Sequence, residues 1–269
     1  MRRTALFGLV LALTVAIAAA AMQGKPSEPP PGRLVDVGDR ALHIRCVGPV
    51  DRRPVVVLEA GAGDYSNRWA AVQELLAPRI RSCAYDRAGF GWSSGTPQSM
   101  SQDNADLRAL LEAANVAGPY VLVGHSMGGL LVRRYAQSYP TAVVGMVLVD
   151  PTHENARHFF TADNQWKRVR EQPTPMGADF QELYVARQLN PVPLGDRPLI
   201  VLDGTRPDPK VKIPDDIARE KAAEPEDQLR ISRNSKLVRD SSSGHRIHVD
   251  NPKLVADAIE EVVTAARIK

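Results

Sequence analysis

The feature that most constrains this chain is a serine set between two glycines where a strand pattern meets a helix pattern. The motif is Gly124-His125-Ser126-Met127-Gly128. Residues 120–123 before it form a short apolar run typical of a buried strand, and residues 129–136 after it have the spacing of a packed helix. This context predicts that Ser126 lies on a sharp turn in an unfavourable backbone conformation, with the glycines keeping the crossing chains apart.

A serine held in this way is a candidate nucleophile. Its hydroxyl projects at the carboxyl end of the sheet, above the N-terminal amides of the following helix, where an oxyanion can be stabilised. A second turn, Glu59-Ala60-Gly61-Ala62-Gly63, follows the apolar run Pro54–Leu58. We therefore predict that the backbone N–H groups of Met127 and Ala62 form an oxyanion hole beside Ser126.

The first 32 residues indicate export. Arg2 and Arg3 precede an uncharged run from Thr4 to Met22 that ends in four alanines, as in a secretory signal of about residues 1–21. The alternative is an uncleaved membrane anchor, because the run is nearly long enough to span a bilayer. Residues 22–32 are rich in proline and predict a flexible spacer. We expect a periplasmic or secreted protein, with membrane contact only if the segment stays attached.

Residues 33–269 are enough for one domain with a sizeable core. The formal charge of +3 falls to +1 when Arg2 and Arg3 are removed, and no run of basic residues with interleaved aromatics is present. The sequence therefore predicts no nucleic-acid surface. It also contains no phosphate-binding loop and no Cys/His array at metal-ligand spacing, so we expect no cofactor and no metal.

Strand patterns alternate with helix patterns along this domain, which predicts a mostly parallel sheet covered by helices on both faces. The predicted helices include Trp69–Ala77, Gln102–Asn115 with Ser101 as N-cap, and a closing helix to about Ala266 with Asn251 as N-cap. The later predicted strands are Val143–Val149, Leu199–Leu202 and a short one at Ser235–Arg239.

Three motifs together resemble the α/β-hydrolase superfamily, over nearly everything from Leu34 to Lys269. They are the E-A-G-x-G turn at residues 59–63, the Y-D-R-A-G-x-G-W-S loop at residues 85–93 and the S-G-H motif at residues 243–245, arranged around the G-H-S-x-G elbow. They resemble a bacterial serine-hydrolase branch more narrowly. Ala60 departs from the wider superfamily, in which a His usually precedes the glycine of the oxyanion turn. The donor there is a backbone N–H, so the change need not impair catalysis.

His245 is the candidate general base. It follows Ser-Ser-Ser-Gly at the end of the last strand pattern, and a histidine near neutrality can take the serine proton and return it to the leaving group. The resemblance implies the same assignment, because in α/β hydrolases the nucleophile comes first and the His near the end. His248 is the rival, although its position better suits a strand-edge or surface role.

The carboxylate that orients the His has several candidates. Asp208 lies in the loop after the Leu199–Leu202 strand, near the commonest place for the acid in the superfamily, and Asp150 ends the preceding strand. The narrower branch resembles this chain in its V-L-V-D-x-x-H segment, residues 147–153, which favours Asp150. Asp208 is kept as the alternative, with Asp203 third.

The stretch Thr152–Arg197 is too long to be a plain loop. In the superfamily an insertion at this place is a cap over the active site, so we expect a small helical cap here. Its large apolar residues either line a substrate pocket or seat the cap on the core: Phe159, Phe160, Trp166, Phe180, Leu183 and Tyr184. Basic residues in the same stretch either bind an anionic substrate or, as we favour, form a solvated face: Arg157, Lys167, Arg168 and Arg170.

The two cysteines, Cys46 and Cys83, lie in separate strand patterns. In an exported protein they either form one disulfide or serve as two small buried hydrophobes. The strand order of the superfamily places the second and fourth strands side by side and antiparallel, so the resemblance implies that the two cysteines face each other.

Two classes of function remain. The first is a serine hydrolase that acts through an acyl-enzyme, most simply a carboxylesterase on small or medium uncharged esters. Amidase, thioesterase, lactonase and cofactor-free perhydrolase activities stay open within this class, whereas a Ser nucleophile disfavours dehalogenase and epoxide-hydrolase chemistry. The second class is a non-catalytic binding protein with the same fold. The sequence leaves the oligomeric state unknown.

Overall fold

The structure, a computed structural model, describes residues 26–154, 158–160, 166–168, 175–209 and 213–266. The predicted signal or anchor at residues 1–21 lies outside these residues. Ten strands are present in the described part: β1 (Arg33–Asp36), β2 (Ala41–Val47), β3 (Val55–Glu59), β4 (Ser82–Tyr85), β5 (Tyr120–His125), β6 (Val143–Val149), β7 (His158–Phe160), β8 (Trp166–Arg168), β9 (Pro198–Gly204) and β10 (Asn234–Asp240).

Seven α-helices and one 3-10 helix accompany them in the same part of the chain. The 3-10 helix is Ser66–Trp69, and the α-helices are α1 (Ala70–Leu76), α2 (Met100–Ala113), α3 (Met127–Ser138), α4 (Pro175–Leu189), α5 (Asp215–Leu229), α6 (Ile247–Asp250) and α7 (Pro252–Ala265). None of the described helices is long and apolar enough to cross a membrane.

Eight strands form one sheet in the order β1-β2-β4-β3-β5-β6-β9-β10. Strand β2 is antiparallel to both of its neighbours, and all the other pairs are parallel. The predicted mostly parallel sheet is therefore confirmed. Parallel strands all end at the same edge, so the loops after β3, β5, β6, β9 and β10 meet there.

Helices cover both faces of the sheet, as alternation along β5 shows. Val121 and Val123 pack on one face with residues of α1 and α7, whereas Tyr120 and Leu122 pack on the other with residues of α2 and α3. All four side chains are buried. This continuous burial explains why the strand is an unbroken apolar run in the sequence.

Strands β2 and β4 bring the two cysteines together. Cys46 and Cys83 are directly opposite in the antiparallel register, their Cα atoms are 4.1 Å apart, and they form a disulfide. Of the two alternatives, a disulfide and two buried thiols, the structure therefore has the disulfide. The two strands are antiparallel neighbours, as the resemblance implied.

Several predicted boundaries need correction. Helix α2 begins at Met100 rather than Gln102, and its N-cap is Ser99, whose hydroxyl accepts from the N–H of Gln102 at 3.3 Å. Ser101 instead accepts a hydrogen bond from Arg134. Since both serines precede the same apolar pattern, periodicity alone did not separate them. Helix α7 has the predicted cap, with the Asn251 side chain accepting from the N–H of Leu254.

The insertion Thr152–Arg197 differs from the expected helical cap. Its described part contains the antiparallel pair β7 and β8 as well as helix α4. The β-pairing follows from the strand propensity of aromatic residues in that stretch. Helix α4 packs Phe180 and Leu183 against Leu130 and Leu131 of α3. These two apolar residues therefore seat α4 on the core, whereas Arg157 and Arg170 lie outside the described residues.

Candidate active site

Ser126 lies between β5 and α3 with φ +52° and ψ −122°. Residues other than glycine rarely adopt such a positive φ, so the strained turn predicted from the sequence is confirmed. A Cβ at Gly124 would overlap the backbone of Gly128, and one at Gly128 would lie 2.7 Å from the carbonyl oxygens of Glu59 and Ala60. The two glycines allow the strand, the helix and the neighbouring turn to approach this closely.

The structure brings together Ser126, His245 and Asp150. Oγ of Ser126 is 3.0 Å from Nε2 of His245, and Nδ1 of His245 is 2.6 Å from Oδ2 of Asp150. Both distances are within hydrogen-bonding range. Asp150 follows β6 and has φ +41°, which turns its carboxylate towards the loop after β10. This chain of contacts has the arrangement of nucleophile, base and orienting acid.

Asp208, the alternative acid, is exposed in the loop after β9. Nδ1 of His245 is already bonded to Asp150, so the structure places Asp150 rather than Asp208 at this nitrogen. Two other carboxyl groups, those of Asp203 and Glu224, lie near enough to Asp150 to be repelled by its charge. Burial, followed by repulsion from Asp150, raises the pKa of Asp203, and burial raises the pKa of Glu224 to about 7.

Carboxylates at both ends anchor the loop that carries His245. Asp240 accepts from the N–H and hydroxyl of Ser242 and from the hydroxyl of Ser243. The hydrogen bond from the Ser242 side chain is the main reason that the pKa of Asp240 is lowered to about 2. Asp250 accepts from the N–H of Gly244 at 3.0 Å. The Ser-Ser-Ser-Gly segment is thus a hydrogen-bonded turn that fixes the base.

His125 supports the same loop from below and was not singled out in the sequence. It is buried, and its Nε2 lies 2.9 Å from the carbonyl oxygen of His245. Because the partner is a carbonyl, Nε2 must carry the proton and donate it. Burial holds the pKa of His125 well below its ordinary value, which keeps the ring neutral.

His248 requires a correction. It was expected at a strand edge or on the surface, but it lies in α6, is buried, and packs against the rings of Trp69 and His125. Burial lowers its pKa to about 4. A polar residue near a chain turn is usually exposed, and only the packing of α6 under the site reverses that expectation.

The turn at residues 59–63 borders the nucleophile. A Cβ built at Gly61 would lie 2.8 Å from Nδ1 of His125 and 3.3 Å from Cβ of Ser126. The next residue, Ala62, is exposed, and its N–H donates no hydrogen bond within the described part of the chain. Met127 is the first residue of α3, so its N–H lacks an acceptor within the helix. Met127 is thus the chain neighbour of Ser126, and Ala62 follows the glycine that borders it.

Beneath this turn lies a buried set of charged and phenolic groups, which we term the turn network: Glu59, Tyr85, Arg87 and Asp103. Arg87 forms an ion pair with Glu59, and Tyr85 donates a hydrogen bond to Glu59. Asp103 is 3.9 Å from Nε of Arg87. The E-A-G-x-G and Y-D-R motifs supply three of these residues, so these motifs carry the sequence signal for the network.

A second set, which we term the cap network, joins the insertion to the domain and consists of four buried residues and the half-buried Asp227: Arg133, His153, Glu154, Arg187 and Asp227. Glu154 pairs with Arg133 of α3 at 2.6 Å and with Arg187 of α4. Asp227 of α5 is 2.8 Å from both His153 and Arg187. Although burial alone raises the pKa of Glu154, the two arginines outweigh it and hold this pKa far below its ordinary value.

Potential metal ligands occur together only in this cap network, among the described residues. The ligand atoms of His153, Glu154 and Asp227 lie within 4.8 Å of one another. However, guanidinium groups already occupy both carboxylates, and burial lowers the pKa of His153. Two fixed cations at the same oxygens repel a metal ion, so we interpret the cluster as an ion-pair network.

Known proteins share this architecture. A family model described as the alpha/beta hydrolase fold matches residues 53–203, more than half of the chain. The uncharacterized protein YqjL of Bacillus subtilis is 31% identical over 222 residues, which cover 78% of this chain and 84% of that protein.

Solved structures of other proteins have a similar fold. A protein of Pseudomonas aeruginosa described as a "probable hydrolytic enzyme" has a TM-score of 0.65 at 20% identity and covers 93% of this chain and 98% of that chain. A thermophilic esterase from Thermogutta terrifontis has a TM-score of 0.59 at 22% identity and covers 85% of this chain and 95% of that chain. At these identities the likeness concerns the fold.

Proposed function

This chain belongs to the alpha/beta hydrolase fold family, and on that premise we propose that it is a serine hydrolase that forms an acyl-enzyme, most simply with carboxylic esters. The observation that carries the proposal is the continuous chain of contacts from Ser126 through His245 to Asp150. A binding protein has no need for a strained serine within 3.0 Å of a histidine nitrogen.

In the proposed reaction, Oγ of Ser126 attacks the ester carbonyl carbon while Nε2 of His245 takes its proton. Asp150 holds the other ring nitrogen and stabilises the imidazolium that forms. The N–H groups of Met127 and Ala62 stabilise the oxyanion of the tetrahedral intermediate. The alcohol then leaves with the proton from His245, and a water molecule activated by the same histidine releases the acid and regenerates Ser126.

The mechanism uses only a hydroxyl, an imidazole and a carboxylate, so we propose that no cofactor takes part. We propose small or medium uncharged esters as substrates, a choice that depends on the family and on the apolar cap residues. Export is also a proposal from the sequence. The Cys46–Cys83 disulfide supports it, because such bonds persist mainly in oxidising compartments.

The first test is labelling with a fluorophosphonate, followed by a panel of p-nitrophenyl esters of increasing acyl length. Ser126→Ala should abolish labelling and lower kcat about a thousandfold or more. Labelling that persists at another residue would refute the assignment of Ser126. A wild-type protein that neither labels nor hydrolyses any ester would favour a binding role.

The second test separates the two candidate acids. Asp150→Asn should lower kcat by up to about ten-thousandfold, because the amide favours the wrong His245 tautomer, whereas Asp208→Asn should leave kcat nearly unchanged. A severe loss only in the Asp208 variant would reverse the assignment.

The third test addresses cofactor and substrate charge. A signal-free form treated with a chelator should retain full activity and should prefer neutral esters over anionic esters of matched length. Loss of activity with the chelator, or a strong preference for the anionic series, would overturn these parts of the proposal.

A further inference from the structure

The backbone just beyond β3 poses a hydrogen-bonding problem. The pairing of β3 with β5 ends at Glu59 and Gly124, so the carbonyl groups of Ala60 and Gly61 have no strand partner. Both residues are buried. Buried carbonyl groups in native proteins almost always accept a hydrogen bond, so this turn needs a donor from outside the sheet.

Arg87 supplies that donor to both groups. Its Nη1 donates to the carbonyl oxygen of Ala60 and its Nη2 to that of Gly61, each at 2.7 Å. The N–H of Asp64 adds a longer bond to the Gly61 oxygen, at 3.4 Å. The guanidinium is planar and its donors form a fixed fork, so it holds two successive carbonyl groups in one orientation.

The orientation of the Gly61 carbonyl determines that of the Ala62 N–H. In a planar trans peptide the C=O and the following N–H point in opposite directions. Because Arg87 holds the Gly61 oxygen towards the protein interior, the Ala62 N–H points away from the interior. The turn lies close to the nucleophile, since a Cβ at Gly61 would lie 3.3 Å from Cβ of Ser126.

The charge of Arg87 is compensated within the turn network. Its side chain is 2% exposed, and an unpaired guanidinium buried to this degree is costly. Glu59 forms an ion pair with it from the last position of β3. Tyr85, at the end of the adjacent β4, donates to the same carboxylate. The network thus holds the cation at the one place where it reaches both carbonyl groups.

We propose that Arg87 is a positioning residue that locks the Gly61–Ala62 peptide so that the Ala62 N–H faces the oxyanion. This inference rests on the proposed serine-hydrolase function. Arg87 touches no reacting atom. Without Arg87 the Gly61–Ala62 peptide is free to rotate. The Ala62 N–H then points at the proposed oxyanion hole for only part of the time.

The test compares Arg87→Lys with Arg133→Lys in the signal-free protein. Arg133 is a matched control, because it is equally buried and paired with a carboxylate but lies in the cap network. A lysine keeps the charge and loses the fork. We expect kcat for p-nitrophenyl acetate to fall about 10- to 100-fold in Arg87→Lys with KM within threefold, because only the transition state uses the hole. Arg133→Lys should keep kcat within threefold.

A crystal structure of Arg87→Lys gives a second measurement that does not depend on turnover. We expect the Gly61–Ala62 peptide to be rotated or present in two orientations. An unchanged peptide, an unchanged kcat, or an equal fall in Arg133→Lys would overturn the inference. If the wild type hydrolyses no ester, the proposed function fails, whereas the crystal structure still tests the role of Arg87.

A charge-balanced variant covers the case in which Arg87→Lys does not fold. Glu59→Gln combined with Arg87→Gln removes one buried charge of each sign and so leaves the net charge of the turn network unchanged. The shorter Gln side chain has one donor nitrogen in place of the two, Nη1 and Nη2, with which Arg87 holds the two carbonyl groups. The same fall in kcat and the same loss of peptide order are expected. Wild-type kcat in this double variant would contradict the proposal.

Discussion

The turn network and the cap network are both buried ion clusters at the edges of the same site, yet they balance their charges differently. Burial raises the pKa of Glu59, which shares Arg87 with Asp103, whereas the pKa of Glu154 is lowered although burial opposes this, because Arg133 and Arg187 both bind it. Desolvation thus dominates at Glu59, whereas attraction to neighbouring cations dominates at Glu154.

The two networks also differ in what they join. The turn network directs its guanidinium to backbone carbonyl groups of one turn, whereas the cap network joins side chains from α3, α4, α5 and the loop after β6. We therefore expect changes in the turn network to affect mainly kcat, and changes in the cap network to affect mainly the free energy of unfolding. Three predictions examine this contrast.

The largest effect on stability is expected for Glu154→Gln. The change leaves Arg133 without its carboxylate and weakens the attachment of Arg187, and breaking a buried ion pair on one side costs about 3–5 kcal/mol. Urea denaturation measures the change in unfolding free energy. The kcat of the folded variant should remain within threefold of the wild type.

The matched control for this prediction is Lys236→Gln, which removes the exposed Lys236–Glu261 pair. Exposed pairs contribute about 1 kcal/mol or less. Equal losses in the two variants would show that the cap network does not fasten the insertion, and a large fall in kcat for Glu154→Gln would remove the contrast between the networks.

An intermediate effect is expected for Glu224→Gln. Glu224 lies beside the cap network, but no hydrogen bond or ion pair joins it to the described residues, and burial raises its pKa to about 7. At pH 8 the folded protein must keep this carboxylate ionised, so the glutamine should stabilise it. The pKa shift sets an upper limit of about 4 kcal/mol, and solvent contact of this half-buried side chain keeps the expected gain at about 1–2 kcal/mol.

The pH dependence of that gain follows from the raised pKa. Below the unfolded pKa of about 4.3 both states are protonated, so the gain should vanish at pH 4 and grow as the pH rises to about 7. Thermal melts of the wild type and the variant at pH 4, 6 and 8 measure it. A gain that is the same at pH 4 and pH 8 would contradict the explanation.

The smallest expected effect is a change in how steeply the free energy of unfolding depends on pH, in opposite directions for a Glu154 and a Glu59 variant. The lowered pKa of Glu154 contributes stability above the unfolded pKa, and this is lost as the pH falls through the folded pKa. The raised pKa of Glu59 has the opposite sign, since its ionised form is penalised and acidification relieves the penalty. Glu154→Gln should therefore flatten the acid loss of stability, and Glu59→Gln should steepen it. Urea midpoints of the wild type and both variants between pH 6 and 3 measure these slopes. A change of slope in the same direction in both variants would refute the contrast.

The sequence alone predicted the sheet, the strained serine and the residues that meet around it. These features depend on short-range patterns, because a buried parallel strand is a continuous apolar run and a sharp turn requires glycine at Gly124 and Gly128. Ser126 and Met127 directly follow the buried strand β5, and Ala62 lies in the turn after the buried strand β3. His245 lies in the loop after the edge strand β10, and all four are therefore where the loops of a parallel sheet meet.

Other features were decided only by tertiary structure. The sequence predicted Ser101 as the N-cap, whereas the structure places Ser99 there. The sequence also predicted a strand-edge or surface position for His248, which is buried where α6 packs beneath the site. The described part of the insertion combines a strand pair with a helix. Aromatic residues favour strands, but how strongly they do so depends on their neighbours in the folded protein.

Tertiary structure also decided which carboxylate contacts His245 and which residues pair in the turn network and the cap network. Asp150 and Asp208 each follow a strand. The resemblance at residues 147–153 favoured Asp150, but only the folded structure shows that its carboxylate reaches Nδ1 of His245. Arg87 and Glu59 are 28 positions apart, and Arg133 and Glu154 are 21 apart. Partners at such separations have no local signature, because their energy comes from burial and from distances that exist only after the strands and helices have packed.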